Sequence, residues 1–262
     1  MNCKICDQPT HIIGSGDMLG HSPTEFMQCT RCSFVQTGPA VWLNEAYRSA
    51  ITSSDLGLVK RNLTFANVCS VLIPILFPTS HRFVDYGGGY GLFVRLMRDA
   101  GFDFFRYDPI CQNLFAQGLD VELPAVPAFD LVTAFEVFEH LVDPLHEITT
   151  MLKFGYSIFF STELIAATAP SPQVWPYYGL DHGQHIAFYS MQTLQVIAEK
   201  FGLRLYTNGQ SIHLLTDKNI SHRCFRMLLH QRVASILRPV VRRPSLLDTD
   251  VKSVLASWQA TR

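Results

Sequence analysis

Charge is scarce in this sequence: Asp, Glu, Lys and Arg make up 16% of its 262 residues, hydrophobic residues make up 48%, and the net charge is −1. That balance excludes a disordered chain and supplies material for a large core. Long apolar runs are missing too. The longest, residues 68–77, contains Ser70 and Pro74 and is about half the ~20 residues of a membrane-crossing helix, so no transmembrane segment is expected. The opening Met1-Asn2-Cys3-Lys4 lacks the apolar stretch of a secretory signal, which implies a cytoplasmic protein. Thiols stay reduced there, so the seven cysteines should be metal ligands or buried apolar side chains rather than disulfides. Internal repeats and low-complexity tracts are absent.

Two nucleotide signatures are also lacking. Val84-Asp85-Tyr86-Gly87-Gly88-Gly89-Tyr90-Gly91 lies between a predicted strand and a predicted helix, yet Tyr90, Leu92 and Val94 occupy positions that G-x-G-x-x-G would need. No phosphate-cradling G-K-[ST] is present. This weighs against NAD and ATP and leaves a ligand without a pyrophosphate. The glycines let the backbone turn tightly and pass close to that ligand at the carboxyl end of a strand. Asp108, after the next strand, can accept hydrogen bonds from both hydroxyls of an adenosine ribose.

What is present begins with two CxxC pairs, Cys3-Lys4-Ile5-Cys6 and Cys29-Thr30-Arg31-Cys32, separated by a loop holding Gly14, Gly16, Gly20 and Pro23. Two such knuckles complete a tetrahedral zinc site, closed and therefore structural. So short a segment has little core, and the metal would supply most of its folding energy. Cys69, Cys111 and Cys224 read as core residues. Residues 44–77 read as a mostly helical connector closed by Pro78. From residue 82 short apolar strands alternate with helices: strands at 83–85, 104–107, 129–135 and 156–161, helices at 92–100, 143–153 and 190–202, and late strands at 203–206 and 213–215. This alternation implies an α/β fold, a parallel sheet with helices on both faces. Residues 217–262 carry nine Lys/Arg against three Asp/Glu. A tail of that kind can reach a membrane surface peripherally, although a solvated helical face explains it as well.

Asp85-x-Gly87-x-Gly89-x-Gly91, Asp108, and the run from Phe129-Asp130-Leu131-Val132 into Glu136-Val137-Phe138-Glu139-His140 resemble the successive motifs of class I S-adenosylmethionine (SAM)-dependent methyltransferases. With the four cysteines in front and Gly183-Gln184-His185-Ile186 behind, the chain is similar to zinc-containing methyltransferases encoded beside glycosyltransferases and to deoxysugar C-methyltransferases. The resemblance implies a doubly wound, Rossmann-like methyltransferase sheet. The domains would be a zinc module at 1–40, a helical connector at 41–78, a methyltransferase domain at 79–216 and a basic, mostly helical tail at 217–262. It also implies SAM as cofactor, held by Asp85, Gly87, Gly89, Gly91, Asp108 and Glu136, with Phe135 beside the adenine. The acidic residue that many such enzymes place after the third strand is represented only by Asp120 and Glu122.

SAM arrives activated, because its sulfonium leaves as a neutral thioether; the protein must align a nucleophile with the methyl and remove a proton. Histidine suits that task near neutral pH. His140 follows a strand end and His185 precedes the helix capped by Ser190, with His182 in reserve. By resemblance His140, His185 and Tyr47 match a catalytic set in which Gln184 replaces an acid. Each histidine has a purely structural alternative, as do Glu136 and Glu139, which can serve the start of a helix. Trp175, Tyr177, Tyr178 and His182 form an aromatic, polar loop of the kind that stacks sugars; with Glu139 and Gln184 they complete the expected substrate contacts. The substrate implied is a sugar nucleotide or glycan intermediate, methylated on oxygen by a His base. The alternatives are sugar C-methylation or a non-catalytic SAM-binding partner in glycan assembly. The acidic body and the absence of a basic stripe in residues 1–34 argue against a nucleic-acid partner.

Overall fold

The computed structural model describes residues 1–48 and 55–260. In chain order its strands and helices are β1 (Thr10–Met18), β2 (Ser22–Cys29), β3 (Val35–Thr37), α1 (Leu43–Ala46), α2 (Leu58–Leu76), β4 (Arg82–Tyr86), α3 (Leu92–Asp99), β5 (Asp103–Tyr107) and β6 (Leu131–Ala134). There follow α4 (Pro144–Phe154), β7 (Ser157–Ser161), β8 (Ala187–Phe188), α5 (Met191–Phe201), β9 (Arg204–Thr207), β10 (Ile212–Thr216), α6 (His222–Leu228), α7 (Gln231–Leu237) and α8 (Leu247–Ala260). Single 3-10 turns cover Phe138–His140 and Pro176–Tyr178. The strands form a six-stranded sheet in the order β5-β4-β6-β7-β10-β9 and a four-stranded one in the order β1-β2-β3-β8. The larger sheet is mixed: β4 runs parallel to β5 and β6, while β9 and β10 pair antiparallel. This is the expected α/β class.

The chain divides into two compact units. The first comprises the described residues of Met1–Ser53, Phe135–Met151 and Phe159–Lys218; the second comprises those of Ser54–Ala134, Leu152–Ile158 and Asn219–Arg262.

In the second unit β4 lies between β5 and β6, so the strand order reverses at β4, the position where open α/β sheets bind ligands at the carboxyl ends of their strands. Phe83, Val84, Val94, Met97, Phe104, Leu131 and Val132 are fully buried there, and Phe83 stacks on Phe104 at 5.0 Å. Helix α2, 19 residues with a mean hydropathy of 1.2, is long and apolar enough to cross a membrane by length and composition. It is nonetheless a core helix, burying Val68, Cys69, Val71, Leu72 and Ile73, with Pro74 accommodated inside it. Residues after 217 are more than a solvated face. Leu228 and Ala234 join Val71 in one buried cluster, and Asp250 of α8 binds Arg98 of α3 through two bonds of 2.6 and 2.8 Å.

In the first unit the segment read from its glycines as a loop is a β-hairpin, with Thr10 opposite Cys29 and Met18 opposite Ser22. Its glycines mark close approach: a Cβ on Gly14 would lie 2.7 Å from Pro172, and one on Gly16 would lie 2.9 Å from Leu180. Met18, Phe26, Val35, Trp42, Ile165, Tyr178, Ile186 and Phe188 form the core beneath. Ser190 caps α5 as expected, in a reciprocal capping box with Thr193.

Candidate active site

The second unit carries the glycine turn after β4. Gly87, Gly89 and Gly91 have φ values of 66°, 53° and 83°, a region that other residues enter at a cost. A Cβ on Gly91 would also lie 2.8 Å from that of Ala116, whereas at Gly89 the same direction is open. Asp108 fastens the turn. One of its oxygens accepts from the Gly89 amide at 2.9 Å, and the other accepts from the amides of Ile110 and Cys111 at 2.9 and 2.8 Å. Arg106, which sequence reasoning passed over, is 2% exposed and donates to the Gly89 carbonyl at 2.6 Å and to Asp120. A charged side chain within the apolar strand 104–107 was the available signal. Asp108, Cys111, Asn113, Asp120, Glu122 and Leu123 help line a cavity of about 460 Å³, a size suited to a small ligand. Asp85 is buried and accepts from Thr133 Oγ1 at 2.6 Å. Burial raises its pKa to about 7, with the Asp108 charge adding to the rise and Thr133 and Arg106 opposing it. A Cβ on Gly88 would lie 3.0 Å from Asp85 Oδ2, so Asp85 lies against the turn from within the fold.

The first unit carries a second constellation. Its 3-10 turn places Glu139 and His140 side by side, and the loop before β8 supplies His182, Gln184 and His185. The rings of His140 and His185 are 5.0 Å apart, and those of His182 and His185 4.6 Å. Tyr47 Oη lies 2.9 Å from His140 Nδ1, which is also 3.0 Å from the Gln184 carbonyl. His185 Nδ1 is 2.6 Å from the Tyr177 carbonyl. Burial pulls the pKa of His140 down to about 4, so its ring is neutral at ordinary pH. Glu139 is fully buried and neither carboxylate oxygen has a hydrogen-bond partner. Burial and the charge of Glu136 push its pKa up to about 8, while the hydroxyls of Tyr177 and Thr162, close by but outside hydrogen-bond geometry, pull the other way. Glu136 sits at a φ of 55° and accepts from Ser161 Oγ at 2.5 Å.

The structure thus brings Tyr47, Glu139, His140, Tyr177, His182 and His185 together, with Thr162 and Ser161 as members the sequence did not reveal. Trp175 and Tyr177 stack at 5.0 Å beside them. Gln184 turns its side chain elsewhere, donating to the Ala46 carbonyl at 2.8 Å. Tyr178 is a core residue: it is fully buried, packs on Phe26 at 4.8 Å and donates its hydroxyl to the Pro170 carbonyl. Phe135 packs edge-on against Phe159 at 5.4 Å.

The four N-terminal cysteines converge. Sγ of Cys3 is 3.6 Å from that of Cys32, and Cys6 is 3.4 Å from Cys29 and 3.6 Å from Cys32. A disulfide requires about 2.05 Å, and all four are free thiols. Backbone amides of Ile5, Arg31 and Cys32 point at Cys3 and Cys29 sulfurs. The hydrogen bond between Cys3 and Cys32 holds the pKa of Cys3 down to about 5 and pushes that of Cys32 up.

A family model described as a methyltransferase domain matches residues 61–208. Among solved structures the chain is similar to TnmH, at 17% identity over 68% of this chain and 61% of that one, with a TM-score of 0.41. The chain thus spans less than two thirds of TnmH. It is also similar to magnesium protoporphyrin IX methyltransferase from Synechocystis PCC 6803 with bound SAH, at 12% identity over 67% and 93% of the two chains, TM-score 0.44. A third likeness is to the plantazolicin methyltransferase BpumL in complex with SAH, at 10% identity over 68% and 95%, TM-score 0.47. No curated protein matches the sequence.

Proposed function

Because this chain belongs to the methyltransferase-domain family, we propose that it is a SAM-dependent enzyme that methylates a hydroxyl of a sugar nucleotide or glycan intermediate. SAM supplies an activated methyl whose carrier leaves as a neutral thioether. Asp108 keeps lone pairs beyond those used by the backbone amides, and these accept from the ribose hydroxyls beside the turn of Gly87, Gly89 and Gly91. The observation that carries the acceptor reading is the His140–His185 pair, 5.0 Å apart, with the Tyr177 ring 4.7 Å from His185. Amphipathic rings beside imidazoles suit a hydroxylated, partly apolar face such as a sugar. An oxygen acceptor fits better than carbon. Gln184 beside His185 holds no charge, and an alcohol can lose its proton late, as positive charge builds on oxygen. Tyr47, His140 and His185 surround the hydroxyl that gives up that proton.

A structural zinc ion on Cys3, Cys6, Cys29 and Cys32 completes the reading. Zn–S bonds of about 2.3 Å in a tetrahedron require sulfurs ~3.8 Å apart, a small expansion of the spacings in the cluster.

The test is turnover with methyl-labelled SAM across a panel of sugar nucleotides and glycan intermediates, followed by NMR of the product. The methyl is expected on oxygen. His185→Ala should lower kcat on the order of 10² to 10⁴-fold with SAM affinity retained. Full turnover by that variant, or a methyl found on carbon, contradicts the reading.

A further inference from the structure

Glu139 poses a physical problem. A carboxyl group that is 0% exposed with both oxygens unpartnered costs about 1–3 kcal/mol relative to a satisfied one. Its nearest charge makes matters worse: the Glu136 carboxylate acts on it unfavourably and acts on Glu163 in the same way. Ligand atoms of Glu139, His140 and His185 all lie within 4.8 Å of one another. The two imidazoles also share an arrangement. Each has Nδ1 against a backbone carbonyl, that of Gln184 for His140 at 3.0 Å and that of Tyr177 for His185 at 2.6 Å. A carbonyl accepts only from Nδ1–H, so it favours the tautomer with its lone pair on Nε2, the outer support that metal-binding histidines characteristically have; Tyr47 Oη lies against the same His140 nitrogen. Beside them Glu136 is held at a left-handed φ of 55°, a strain of about 1–3 kcal/mol that folds retain mainly at functional sites.

We propose that Glu139, His140 and His185 bind a divalent first-row transition-metal ion, distinct from the zinc at the four cysteines. Two imidazoles and one carboxylate are a donor set for ions from Mn²⁺ to Zn²⁺, and they leave coordination positions open. The ion gives the buried carboxylate its missing partner and offsets the crowding of Glu136 and Glu139. Resting on the proposed hydroxyl acceptor, the inference also says how the proton is lost. A cation beside the acceptor oxygen lowers the pKa of its hydroxyl, so the O–C bond forms as the S–C bond breaks, the electron pair stays on sulfur and the proton passes to solvent. His140 and His185 then act as ligands, and Tyr47 holds the His140 ring.

The experiment is equilibrium dialysis of the full-length, zinc-replete protein against Mn²⁺, and separately Co²⁺, with metal analysis of the retentate. Thiolates favour zinc over Mn²⁺, so Mn²⁺ reports the second site. One Mn²⁺ per chain is expected in the wild type. Glu139→Gln and, independently, His185→Ala should weaken its uptake by more than the roughly 10–100-fold that loss of an outer support costs, with circular dichroism and SAM affinity retained. Wild-type protein that takes up neither Mn²⁺ nor Co²⁺, or folded variants that bind either ion as the wild type does, would overturn the site. Stoichiometric uptake without methylation of any hydroxyl acceptor would count against the acceptor reading and leave the ion site standing.

Discussion

Asp85 lies 4% exposed beneath the glycine turn, and its pKa of about 7 stands above the ordinary 3.8. Between those values the folded protein keeps a proton that the unfolded chain has lost. Stability from this group is therefore complete below pH ~4 and is lost as pH rises through ~7, by at most about 4 kcal/mol. Denaturant unfolding at pH 5 and pH 8 should show over half of that fall in the wild type and a clearly smaller one in Asp85→Asn, whose side chain does not ionise. Equal falls in both proteins would assign the effect elsewhere. The glycines of the turn were legible because only positive φ and close backbone approach explain so many in one place. Glu139 was legible as a substrate contact, with a helix-start carboxylate as the alternative, but its burial beside His140 and His185 was not, because only the fold brings those residues together. Tyr178 erred in the other direction, since nothing local separates a sugar-stacking tyrosine from one that fills a core.

At the scale of elements, the strands and helices from β4 to β10 follow the apolar periodicity and its caps closely, down to the Ser190 box on α5. The β1–β2 hairpin escaped because Gly14 and Gly16 have poor strand propensity, and their reason lies in the chain that packs against them at Pro172 and Leu180. The contribution of α8 was equally hidden. Asp250 meets Arg98 in a two-bond pair and Arg95 at 2.9 Å, with side chains of Arg98 and Asp250 only 7% and 10% exposed. Without Asp250, Arg98 keeps Asp103 and the Phe104 carbonyl, so Asp250→Ala, which removes charge-assisted bonds but leaves the guanidinium paired, should cost about 1.5–3 kcal/mol. Urea unfolding measures it, and a cost under about 1 kcal/mol, the scale of an exposed pair, would show that α8 does not depend on this bond.

At the scale of the whole chain, the CxxC spacing pointed to a tetrahedral metal site, and the fold adds what the site supports. The Cys32 carbonyl accepts from Ser190 Oγ at 2.9 Å and Thr193 Oγ1 at 2.8 Å, tying the second knuckle to the start of α5. Cys6→Ser, or removal of the proposed zinc, should therefore unfold the hairpin and also speed amide exchange at the first turn of α5; exchange confined to residues 1–40 would show that the knuckle supports nothing beyond itself. The central claim, a SAM-dependent methyltransferase whose cofactor is held by Asp108 and the glycine turn, is tested most directly by titration calorimetry of SAM into the wild type and Asp108→Ala. One SAM per chain is expected for the wild type, with affinity reduced in the folded variant by about 1.5–3 kcal/mol, the scale of a charge-assisted hydrogen bond. Wild-type protein that binds no SAM, or a folded Asp108→Ala that binds it equally well, would contradict it.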